Sequence, residues 1–279
     1  MRRVLTICHL TLSEARRRRI VTAALICAAA FLAVFGTALF FAHAEIARNP
    51  QTPFVERQAT MTILTLFGLY AANFLSVLLA VLLPVDALSG EIDSGVMQTL
   101  ASKPIRRADI VLGKWLGHGL LVSAYLIVVC TGVLAIMRVI AHFSPINITR
   151  ALPLMLLEVM LLVSISIAGG TRLSTVTNGI AALGFFGIAF IGGLVELIGS
   201  LTGIQSARTI GIVVSLISPS DSMWRLASYY LQPPVVRDLV EVPFFASAAV
   251  PSPLMVWWAA GFVVLAIVFA VRSFERRAL

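Results

Sequence analysis

The chain has 279 residues, 59% of them hydrophobic and only 12% charged, with a formal net charge of +8. Soluble domains carry about 25% charged residues, so this composition excludes an ordinary soluble enzyme, and its hydrophobicity excludes a disordered chain. Cys8, Cys27 and Cys130 lie far apart, form neither a CxxC pair nor a disulfide framework, and each reads as a small buried hydrophobe.

The elements predict an all-α integral membrane protein with a single six-span domain over residues 1–279. In residues 1–19, Val4, Leu5, Cys8, Leu12 and Ala15 recur at helical spacing ahead of the run Arg16 to Arg19. That pattern fits a helix in the membrane surface with its basic end among lipid phosphates. A crossing helix needs about 20 apolar residues to traverse a core of about 30 Å. Six stretches qualify: Ile20 to Ala42, Met61 to Leu83, Ile110 to Met137, Ala151 to Gly169, Asn178 to Ile198 and Pro253 to Val271. Ala42-His43-Ala44 mimics a signal-peptidase site, but the apolar run before it exceeds the ~7–15 residues of a cleavable signal, so an uncleaved first span is expected. Between the last two spans lies a long external segment, 199–252. Its apolar part, Ile210 to Ile217, is too short to cross and suits a re-entrant or an interfacial helix alike.

Charge orients these spans. With six of them both termini share one side. On that side Arg2, Arg3, Arg16 to Arg19, Lys103, Arg106, Arg107, Lys114, Arg172, Arg272, Arg276 and Arg277 make fourteen basic residues. Arg48, Arg57, Arg138, Arg150, Arg208, Arg225 and Arg237 make seven on the other. The positive-inside rule places both termini in the cytoplasm. The basic excess then reflects topology and contact with anionic membrane lipids. Nucleic-acid binding would need a soluble basic reading surface, and none is present.

The segment joining spans two and three, residues 86–109, carries the functional signal. Glu91 and Asp93 stand at the head of a short helix, where carboxylates complement the dipole. Val96, Met97 and Leu100 give it an apolar side, Pro104 stops it, and Asp109 opens the next helix, which enters span three. A helix mounted between two spans would pass the movement of a docked partner to both.

The run Ser-Gly-Glu-x-x-x-Gly-x-x-x-x-Leu-x-x-x-Pro-x-x-Arg, followed by Gly113-Lys114, resembles the first cytoplasmic loop of ABC-2-type transporter permeases. Glu91, Gly95, Leu100, Pro104, Arg106, Gly113 and Lys114 occupy the matching positions. Asp86-Ala87, Gly90-Glu91 and Gly117-His118-Gly119 resemble most the branch with copper-enzyme maturation permeases. The resemblance implies a permease subunit of the prokaryotic cytoplasmic membrane. It also implies a second permease copy or homologous permease, and two cytoplasmic ATPase subunits that bind ATP and Mg, with no cofactor in this chain. By the same resemblance Glu91, Asp93, Gly95, Val96, Met97, Leu100 and Arg106 dock the ATPase and couple it to the spans. The expected role is export of an unassigned substrate. The alternative is assembly work on an external protein, such as a periplasmic copper enzyme, through the 199–252 segment.

Other signals are weaker. Ala108 to Trp115 lacks the first Gly and the final Ser or Thr of a phosphate-binding loop, so ATP hydrolysis is not expected here. His9, His43, His118 and His142 lack zinc spacing and read as structural or interfacial groups. Two carboxylates fall inside spans, where a charge is costly. Glu158 at mid-span is either a transport-path or coupling group or a neutralised structural one, whereas Glu196 reads as Arg-paired or water-facing. In span five, Gly184, Gly187 and Gly192 permit close helix approach, and the family resemblance implies a dimer interface there. Gly113 to Gly117 reads as a helix entry. Ser218-Pro219-Ser220-Asp221 looks like a helix start. Trp224, Tyr229, Tyr230, Trp257 and Trp258 read as an aromatic belt at the outer interface.

Overall fold

The computed structural model of the chain describes residues 2–48, 53–90, 106–234 and 250–276. Among the described residues nine helices and no strands are present: α1 (Arg2–Ala15), α2 (Arg19–Arg48), α3 (Phe54–Leu82), α4 (Arg107–Ala141), α5 (Ile148–Gly170), α6 (Thr175–Thr202), α7 (Gln205–Ile217), α8 (Ser220–Leu231) and α9 (Leu254–Glu275). Six of them, α2 to α6 and α9, are long and apolar enough to cross a membrane. They coincide with the six stretches expected from the sequence.

The helices are not equivalent. α5 is the most buried span and α3 the next, while α2 buries few of its residues. Away from its ends, a helix satisfies its own backbone N–H and C=O groups, so such exposure to lipid carries no polar penalty. Cys27 follows from this: it is exposed on α2, unlike the buried Cys8 and Cys130, and so is not the buried hydrophobe its apolar context suggests. α3 and α5 run parallel and stay in register. Asn73 donates to the Glu158 carboxylate at 2.9 Å, and Ser166 to the Val81 carbonyl at 3.0 Å, each across the same interval of 85 residues.

The amino-terminal helix α1 lies against the start of α4. Gly113 and Gly117 form the seam. A Cβ on Gly113 would stand 2.6 Å from Ile7 Cβ and 3.0 Å from the Val4 carbonyl. One on Gly117 would stand 2.7 Å from Thr11 Cβ. The GxxxG spacing therefore serves close packing within the chain, a role its reading as a helix entry did not include.

The segment after α6 turns back into the bundle. α7 packs along the C-terminal part of α6 until the Ser218 hydroxyl donates to the Phe185 carbonyl at 3.1 Å, about halfway along α6. α8 then starts at the Ser-Pro-Ser-Asp turn, as its sequence suggests, and runs back toward the start of α5, so Asn147 before α5 meets the Tyr230 carbonyl. The α7–α8 pair thus folds back along α6, with α8 largely buried and α7 exposing Ile210, Ile212, Val213, Leu216 and Ile217. Trp224 belongs to that packing. It is buried and packs on Tyr70 of α3 with the rings tilted and their centroids 5.3 Å apart, so it is no part of an interfacial belt. Trp257 and Trp258 at the start of α9 are exposed.

Candidate coupling site and the buried carboxylates

Of the residues expected to dock an ATPase, Glu91, Asp93, Gly95, Val96, Met97 and Leu100 lie outside the described residues; Arg106 is described. What the structure shows is how the two ends of that segment are mounted. At the entry, Pro84 breaks α3. Arg18, following α1, pairs with both Glu14 at 2.6 Å and Asp86. Burial raises the Glu14 carboxyl. The hydrogen bond and charge of Arg18, with smaller contributions from Lys114 and His118, outweigh that and hold it below its ordinary range. Asn178, near the start of α6, donates to the Val85 carbonyl at 3.0 Å and the Ser166 carbonyl at 2.8 Å. Ser89 meets the Thr175 hydroxyl at 2.9 Å.

At the exit, Arg106 is extended and exposed at the N-cap of α4. Its neighbour Arg107 donates to the Phe274 and Glu275 carbonyls at 3.2 Å each. It thereby takes up orphan carbonyls at the end of α9 with a charge that suits the helix dipole. The entry is thus tied to α1, α5 and α6, and the exit to α9.

Glu158 and Asn73 sit between the two most buried spans, and Asn73 Oδ1 has no partner among the described residues. Toward the C-terminal end of α6, Arg225 of α8 donates to Glu196 at 2.8 Å and to Ser215 at 2.9 Å, and its Nε lies 2.9 Å from Asp221. Glu196 is therefore Arg-paired. The sequence reading missed Arg225 because its partner lies 29 residues away on another helix. His118 is buried and its Nδ1 lies 2.8 Å from the Lys114 carbonyl. Among the described residues no cluster of His, Cys, Asp or Glu could hold a metal ion.

The glycines of α6 divide into two groups. Gly184 and Gly187 have open space where a side chain would be, whereas Gly192 packs on Val214 of α7. Gly192 is thus covered within its own chain.

A family model described as "ABC-2 family transporter protein" matches residues 5–279. The chain belongs to the ABC-2 transporter family. Two curated relatives carry the name "Probable ABC transporter permease protein NosY". The one from Pseudomonas aeruginosa is 40% identical over 73 residues, 26% of this chain and 25% of that protein. The one from Stutzerimonas stutzeri is 44% identical over 52 residues, 19% of each. The matched stretches thus span a quarter or less of those relatives. As an ABC-2 protein, the chain is a multi-pass membrane subunit of an ABC transporter, and membership implies association with an ATPase subunit.

Proposed function

We propose that this subunit is an export permease of the prokaryotic inner membrane, with both termini in the cytoplasm and the 86–109 segment as the docking site for a partner ATPase. ATP and Mg bind to that partner. Glu91 and Asp93 meet basic groups on it, while Val96, Met97 and Leu100 fill an apolar groove and Gly95 permits close approach. Arg106 adds a charge at the exposed exit.

The mounting of the segment supports this reading most. A conformational change is driven only by a ligand that favours one state over the other. Closure of an ATPase pair on nucleotide binding supplies such a bias. A segment tied at its entry to α1, α5 and α6, and at its exit to α9, delivers the displacement to elements on all sides of the bundle. A second permease copy would sit against α2 and the open glycines Gly184 and Gly187. Glu158 then lies near mid-depth, where a polar group can serve the transported substrate or the switch between states.

The direct test is proximity. A cysteine placed at Met97 should crosslink to the co-expressed ATPase through a short bifunctional thiol reagent, and one at Gln205 should not. Equal crosslinking at both positions, or none at Met97 in a complex that still hydrolyses ATP, contradicts the docking assignment.

A further inference from the structure

At the terminal side of the bundle, a cavity of about 360 Å³ opens between the α5–α6 turn and the last turns of α9. Three arginines converge on it: Arg172 from the turn, and Arg272 and Arg276 from α9. Among the described residues no carboxylate lines it. Below the arginines the wall is apolar, formed by Leu265, Val268 and Phe269, all exposed to the membrane side of the helix. Leu265, Phe269, Arg272 and Arg276 are spaced by four, three and four residues, so they form one stripe along α9. The stripe is about 16 Å long at 1.5 Å per residue.

Arg172 is held in place. Its Nε donates to Ser273 Oγ at 2.8 Å, and Ser273 is buried and also accepts from Thr171 at 3.1 Å. Its guanidinium lies over the Phe269 ring at 5.8 Å, a cation–π placement. The Nε is thus committed, and the two terminal amino groups have no partner among the described residues. That is the fork a phosphate accepts. The carbonyls at the end of α9, which would repel an anion, are partly taken up by Arg107.

We propose that this cleft binds one anionic phospholipid of the adjoining leaflet, with its phosphate among Arg172, Arg272 and Arg276 and an acyl chain along Phe269, Val268 and Leu265. Three guanidinium groups line one cleft in which, among the described residues, no carboxylate balances them, so the cleft favours an anion. Arg272 and Arg276 are exposed and free to reach a headgroup, while Arg172 is fixed by Ser273 and Phe269. Basic pockets between spans at a membrane surface are the recognised form of lipid-headgroup sites. The apolar lower half selects a lipid over a free phosphate. The cleft lies next to the Arg107 tie, so an occupied site would stiffen the end of α9 that anchors the segment exit.

The test is native mass spectrometry of the full chain released from detergent containing phosphatidylglycerol or phosphatidylcholine. The wild-type chain should retain one phosphatidylglycerol and no phosphatidylcholine, and excess inorganic phosphate or glycerol phosphate should not displace it. R172Q/R272Q should retain it about fivefold more weakly for each arginine lost, while R48Q/R57Q, with the same change of net charge at the opposite side, should match wild type. A photoreactive phosphatidylglycerol should also label wild-type residues 265–269, a readout that needs no variant to fold. Equal retention by R172Q/R272Q and wild type, or labelling absent from 265–269, overturns the proposal. Displacement by inorganic phosphate would make it a free-anion site and overturns the lipid assignment.

Discussion

Arg18 pairs with Asp86 across an interval of 68 residues, joining the end of the amino-terminal helix to the first turn after α3. The same guanidinium also holds Glu14. One side chain therefore links the end of α1 to the entry of the 86–109 segment. Partly exposed pairs contribute modestly, about 0–1 kcal/mol each, so the arrangement matters more for placement than for stability. R18E should loosen α1 and lower ATPase stimulation in the assembled complex, and R18E/D86R should recover part of it. Failure of the second change to recover any activity would show that the pair does not make this link.

The Glu14 contact has a pH signature. Its carboxyl is held below the ordinary value when folded, so its contribution is present above the unfolded pKa and is lost as pH falls through the folded one. Protease sensitivity around Arg16 to Arg19 should rise as pH drops through the carboxylate range in wild type and should be less pH-dependent in E14Q. A wild-type profile unchanged by acid would contradict the tie.

The seam between α1 and α4 makes a sharper structural claim. Leucine at Gly113 or Gly117 would overlap Ile7 or Thr11 and displace α1, since overpacking typically costs about 1–3 kcal/mol. The expected result is faster cleavage in the Arg16–Arg19 run with all six spans still inserted. Leucine at Gly184, where space is open, should leave that cleavage unchanged.

Glu158 and Asn73 test the centre of the bundle. N73L leaves a buried carboxylate without its donor and should lower thermal stability by about 1–3 kcal/mol. E158Q should hold or raise stability, because paired amides would satisfy Asn73 Oδ1 as well. If E158Q destabilises as much as N73L does, the hydrogen bond is not what holds α3 to α5.

Much of this architecture was legible in the sequence. Six apolar runs of about 20 residues announce six helices, because a run of that length satisfies its backbone in lipid as a helix whereas barrel strands are shorter and alternate, and the Ser-Pro-Ser-Asp turn announces α8. The long-range ties were not legible. Asn178 is one polar residue at a helix start, and nothing local says that it spans to Val85 and Ser166. Arg225 and Glu196 are each readable as interfacial charges until α7 and α8 fold back. Gly113 and Gly117 show the spacing of a close-packing seam, but only the fold shows that α1 fills it. Trp224 has the composition of a belt residue and the position of a core one.

Orientation is tested by impermeant thiol labelling on a C27S background. A cysteine at Ser206, which is exposed at the start of α7, should label from outside, and one at Ser102 should not. External labelling of Ser102 would place the coupling segment on the wrong side.

The central claim, that residues 86–109 dock the ATPase, is tested most directly by its co-purification and activity with E91R and L100D, beside R48E on the opposite side. Removing one partner of a buried charge pair at an interface costs about 2–5 kcal/mol, and burying an unpaired charge is similarly unfavourable. At equal permease yield, both 86–109 variants should lose the ATPase and its activity in the complex, while R48E keeps them. Retention of the ATPase with wild-type activity by both E91R and L100D would contradict the account.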